Sequence, residues 1–103
     1  MTAGTHQAVT LADVSARRDY IVDVGRRHGV YNIRVFGSVA RGESTPTSDL
    51  DLLVDLEPGH GYVDLVSFAL AVEDSLGVLT QVATVNGLKR RVRDQVLAEA
   101  VAV

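Results

Sequence analysis

A chain of 103 residues, 47% of them hydrophobic and with a formal net charge of −3, has room for one modest core and none for a separate substrate-binding domain. The mild acidity argues against a dedicated nucleic-acid binder that works by neutralising phosphates, and the lack of cysteine leaves neither a disulfide framework nor the usual kind of zinc site. No apolar run reaches membrane-spanning length, and Met1–Val9 lacks the basic and apolar regions of a signal peptide, so the expected location is the cytoplasm.

Met1–Val9 reads as a loose tail, leaving 10–103 as a single domain. Thr10 with Asp13 offers a capping box, and the stripe Leu11, Val14, Ile21 and Val22 predicts one helix running to Gly29, with Arg17, Arg18, Arg26 and Arg27 elsewhere on its surface. Val30–Phe36 follows as a strand, with Tyr31, Ile33 and Val35 assigned to one face. Gly37-Ser38 closes it at the start of a short helical turn completed by Arg41 and Gly42. The Ser-, Thr- and Pro-rich loop 43–48 then leads to a second strand.

From Asp49 to Leu56 the residues alternate, with Leu50, Leu52, Val54 and Leu56 on one face and Asp49, Asp51, Leu53 and Asp55 on the other. The loop 57–61 stops that strand, and Tyr62–Leu76 reads as a helix apolar on most sides and therefore largely buried. Gly77 ends the helix, Val78–Val85 forms a third strand, and Leu88, Val92, Val96 and Ala100 mark a last helix. The pattern predicts an α/β (α+β) fold: a small mixed sheet with helices on one face and the aspartates exposed on the other.

The chemistry lies between residues 37 and 51. Residues two apart on a strand lie roughly 6.6 Å apart along it, so Asp49 and Asp51 project in parallel and can converge on hard cations. Magnesium suits such a pair, because it accepts one or two protein carboxylates and fills its shell with water and substrate phosphates. Gly37 permits close backbone approach, Ser38 supplies a hydroxyl and an amide, and the Arg41 guanidinium can meet a phosphate with two parallel hydrogen bonds. Gly-Ser, ten residues, then Asp-x-Asp, flanked by apolar strands, reads as a site for a nucleotide and its metal.

With these residues, over nearly the whole chain, the sequence resembles the minimal nucleotidyltransferases (MNT domains) of the DNA polymerase β-like superfamily, which occur as antitoxins beside HEPN-type ribonuclease toxins. The resemblance implies the nucleotidyltransferase fold, ATP as the nucleotide, Mg2+ on Asp49 and Asp51, phosphate binding by Gly37, Ser38 and Arg41, and transfer of a nucleotidyl group to a hydroxyl of a partner toxin. The chain departs from the family on the third strand, where relatives carry another carboxylate. Counting back from Leu88-Lys89 puts that position at Gln81. A glutamine offers no basicity, and general-base catalysis commonly contributes about 10²–10⁴-fold. Asp55 and Asp64 are weak substitutes: Asp55 lies about 13 Å down the strand from Asp51, and Asp64 falls early in a helix. The competing function is a binding module that keeps the fold and neutralises its partner by contact.

His6, His28 and His60 share no metal-ligand spacing and receive no role, and Tyr62 and Phe68 read as packing residues. Lys89, Arg90, Arg91 and Arg93 open the last helix against its dipole, as a solvated face or as a surface for an acidic partner or a triphosphate tail.

Overall fold

The computed structural model describes residues 8–103. In chain order these form α1 (Leu11–Ala16), α2 (Arg18–Arg27), β1 (Val30–Phe36), α3 (Gly37–Arg41), β2 (Leu50–Leu56), α4 (Tyr62–Leu76), β3 (Thr80–Thr84), α5 (Arg90–Glu99) and β4 (Val101–Ala102). The strands make one sheet in the order β3-β2-β1-β4, with β1 antiparallel to both neighbours and β2 parallel to β3. The parallel pair requires a crossover, and α4 supplies it. The mixed sheet agrees with the expectation from sequence.

One core forms where the helices meet the sheet: Val14, Ile21 and Val24 from α1 and α2, Val30, Ile33 and Val35 from β1, Leu50, Leu52 and Val54 from β2, and Phe68 and Val72 from α4. Leu53, on the aspartate face, is also fully buried yet stands outside this cluster, so that face is covered in part. Most of the expected tail lies outside the described residues; Val9, its last residue, packs against the core, and its carbonyl accepts a hydrogen bond from the Ser44 hydroxyl.

Four local expectations are corrected. The first helix is two: the capping box of Thr10 and Asp13 forms, but the helix breaks at Arg17. The apolar stripe lapses between Val14 and Ile21, so packing does not hold that turn straight, and Arg17 instead reaches Ser75 near the end of α4. In β1, Tyr31 is exposed while Val30, Ile33 and Val35 are buried, because an extra residue enters the strand between Tyr31 and Arg34. Asn32 takes the positive φ of 51° there, a conformation asparagine tolerates better than most residues, and ties its side chain to Asp55 at 2.9 Å.

The third correction concerns α4. Its span and its glycine stop at Gly77 are as read, but it is not largely buried: Tyr62 is 79% and Val63 77% exposed, and Val66 and Leu70 are also open. Phe68 and Val72 are buried against the sheet with Leu65, Ala71 and Leu76 packed beside them, and an apolar composition does not create a second layer to bury the rest. Finally, β3 is confined to Thr80–Thr84, α5 begins at Arg90, and β4 is a two-residue strand too short to leave an alternating pattern.

Candidate functional site

The β1–β2 ladder pairs Phe36 with Asp51, so the turn that leaves β1 starts beside the carboxylate strand. Gly37 has φ +74°, and a Cβ placed on it would stand 2.4 Å from Asp51 Oδ2. Both the backbone conformation and the available space therefore require glycine at the first residue of α3. Ser38, half-buried, follows it on the same turn.

Asp49 immediately precedes β2 and Asp51 is its second residue, and both are partly exposed. Burial pushes the Asp51 carboxyl above its ordinary range; the charges of Asp49 and Glu99 push the same way, and Arg41 opposes them. Crowded carboxylates of this kind gain from a divalent cation. Among the described residues no group of three or more His, Cys, Asp or Glu side chains is arranged to hold a metal. A pair of hard oxygen donors with the rest of the shell left to water and phosphate suits magnesium.

Arg41 lies at the turn, but it is not free. Its Nε donates to Glu43 Oε1 at 3.0 Å and its Nη1 to both oxygens of Glu99, at 3.1 and 3.3 Å. The bonds to Glu43 and then to Glu99 raise its pKa further. Glu99 Oε2 also accepts the Gly37 N–H at 2.7 Å. Sequence reading missed Glu99 altogether: it ends the last helix, 58 residues from Arg41, and no local spacing announces it.

Gln81 stands in register with Asp51 on the parallel neighbour strand. Its Nε2 donates to Asp49 Oδ2 at 2.8 Å. The two substitutes are occupied elsewhere. Asp55 accepts from Asn32 and from Arg34 Nη2. Asp64 accepts the Gly61 N–H at 3.1 Å, bonds His60 Nδ1 at 3.1 Å and lies 3.7 Å from His28 Nδ1. Those histidines, given no role by their spacing, thus share one carboxylate and fasten the end of α2 to the start of α4. The Gly61 N–H first, then His60 and His28, hold Asp64 below the usual carboxylate range.

Lys89, Arg90 and Arg91 are exposed at the start of α5, whereas Arg93 is partly buried and donates to the Leu88 carbonyl. An apolar groove of about 390 Å³ runs between α4 and β3, lined by Tyr62, Val66, Leu70 and Leu79 among others, and meets the carboxylate pair only through Gln81. None of the helices among the described residues is long and apolar enough to cross a membrane.

The family model described as nucleotidyltransferase domain matches residues 18–103. A Thermococcus cleftensis relative, named protein adenylyltransferase MntA, is 35% identical over 79% of this chain and 82% of its own length. A solved structure described provisionally as a minimal nucleotidyltransferase superposes with a TM-score of 0.81 at 44% identity, covering 92% of this chain and 97% of the other. A toxin–antitoxin crystal structure with AMP-PNP shares the fold at a TM-score of 0.68 and 17% identity, covering 82% of this chain and 69% of that one.

Proposed function

Since the chain belongs to the nucleotidyltransferase domain family, we propose that it transfers AMP from ATP, with Mg2+, to a hydroxyl of a partner protein, a HEPN-type toxin. The observation that carries this reading is the contact of Gly37 with Asp51, which sets the phosphate turn against the carboxylate pair with no room for a side chain between them. The T. cleftensis relative's name supports a protein as acceptor, and the AMP-PNP in the toxin–antitoxin neighbour supports a nucleotide and a toxin. A cytoplasmic setting follows from that chemistry, which draws on ATP.

In the reaction the acceptor oxygen bonds to the α-phosphorus, the bond to the bridging oxygen breaks, and pyrophosphate leaves with that electron pair. Asp49 and Asp51 would hold magnesium, which supplies charge neutralisation to the attacking and leaving oxygens when bound. Ser38 and the Gly37 amide would hold phosphate oxygens, and Arg41 would steady the charge on the leaving group. With no carboxylate at position 81 to receive it, the hydroxyl proton would pass to water.

That gap favours a second reading, in which the chain keeps the nucleotide site but acts on its partner by contact. The Gln81 amide lies on Asp49, an arrangement that ties down one carboxylate oxygen instead of providing a base. Incubation with radiolabelled ATP, magnesium and the co-purified partner distinguishes the two: label on the partner, absent with Asp49→Asn, supports transfer, and an unlabelled but tightly bound partner supports contact.

A further inference from the structure

We infer that the Glu99 carboxylate stands in for a substrate phosphate, so that the arm formed by the end of α5 and β4 competes with the triphosphate for its own site. This rests on the assignment of Gly37, Ser38 and Arg41 to phosphate binding.

Two of those three residues already donate to one anion. The Gly37 N–H bonds Glu99 Oε2 at 2.7 Å, and the Arg41 guanidinium bonds both Glu99 oxygens. A backbone N–H committed at that distance cannot serve a second acceptor at full strength. Glu99 is only 17% exposed, so it fills the notch as a bound anion would. Glu43 takes the Arg41 Nε, leaving one guanidinium between two carboxylates. Such a centre carries net negative charge and repels a triphosphate until one carboxylate departs.

The arm is built to depart. Beyond Glu99, β4 pairs with β1 through two residue pairs, Val35 with Val101 and Arg34 with Ala102. Both β4 residues are exposed, and beyond them Val103 donates its N–H to the Ile33 carbonyl at 3.0 Å, accepts from Arg18 Nε at 3.1 Å and packs its side chain against the edge of the core. A two-residue edge strand with both side chains exposed belongs to the part of a fold that opens most readily. When the triphosphate takes the Gly37 N–H and Arg41, Glu99 must swing out, and it is tethered directly to that strand.

If Glu99 instead merely braced the turn, its removal would weaken binding. The two roles therefore differ in sign. Calorimetry with inorganic tripolyphosphate and with MgATP on the full chain, on Glu99→Gln and on Glu99→Ala reads that sign, with thermal melts to show that each variant is folded. Tighter tripolyphosphate binding by roughly ten- to a hundredfold, the worth of one charge-assisted hydrogen bond, is expected, larger for alanine than for glutamine. In the natural chain, hydrogen exchange at the Val101 and Val103 amides should speed up on binding, a readout that holds even if a variant fails to fold. Equal or weaker binding by the variants, or unchanged exchange at Val101 and Val103, overturns the competition while leaving the phosphate turn standing. No tripolyphosphate binding by any of the three chains overturns both.

Discussion

The Gln81 side chain donates to Asp49 across 2.8 Å although Gln81 is paired in the ladder with Asp51. The amide thus ties β3 to the residue that precedes β2, beside the strand position of Asp51. Gln81→Asp is expected to raise nucleotidyl transfer to the partner by up to about 10²–10⁴-fold with little change in nucleotide affinity. It should also lower the melting temperature in chelator, because three acidic groups then crowd together, and magnesium should restore it. Mass-shift assays on the partner and melts with and without magnesium check both halves. Strong transfer by the natural chain, unaffected by the change, would show that no base at 81 is needed.

Removing the carboxylates should separate binding from folding. The Asp49→Asn, Asp51→Asn double variant is expected to lose magnesium-dependent triphosphate binding and to keep its fold, since neither residue belongs to the main core cluster. Titration calorimetry alongside circular dichroism measures this. Undiminished magnesium-dependent binding by the variant excludes the pair as metal ligands.

Gly37→Ala should cost stability twice, through the positive φ and through the 2.4 Å approach to Asp51 Oδ2. A loss of ~1–3 kcal/mol is expected. Gly42→Ala is the control: its φ is +72° and nothing lies within 4 Å of the added methyl, so it carries the conformational part alone. Urea denaturation of both should place the Gly37 variant well below the Gly42 variant.

Two aspartates should respond to acid in opposite senses. Asp51 is raised from an ordinary value of 3.8, so without metal the folded state holds its proton more tightly than the unfolded one. Its contribution is fully present below 3.8 and is lost as pH rises through the raised value. In chelator, Asp51→Asn should therefore gain on the natural chain as pH rises above about 4, and added magnesium should erase the gain. Asp64 is lowered from 3.8, so its contribution is present above that value and fades as pH falls through the lowered one. Asp64→Asn should be the less stable chain near neutrality and indistinguishable in strong acid. Denaturation midpoints across the acid range test both signs.

What was legible in the sequence is what local periodicity and spacing encode. Leu50, Leu52 and Val54 alternate with Asp49, Asp51, Leu53 and Asp55, so β2 and the side of it that carries the aspartates could be read directly, as could the glycine that ends α4. Counting back from Leu88-Lys89 singled out Gln81, but its pairing with Asp51 on a parallel neighbour is seen only in the structure. Long-range relations were out of reach. Glu99 meets Arg41 because α5 returns to α3, and a two-residue β4 leaves no pattern to detect. The outer side of α4 was misjudged because apolar composition reports what a residue prefers, while the number of layers in the fold decides what it receives.

The extra residue at Asn32 carries an inheritance of its own. Before it, paired positions in β1 and β2 add to one sum, as in Val30 with Leu56; after it the sum is greater by one, as in Val35 with Leu52. Were the first sum kept, Asp51 would fall opposite Val35, a core residue, and a charge would be turned inward while the glycine turn lost its neighbour. Substitutions at Asn32 are thus matters of degree, whereas deletion is a frame error written in the sheet. Descendants of this chain could vary the letter there but not drop it.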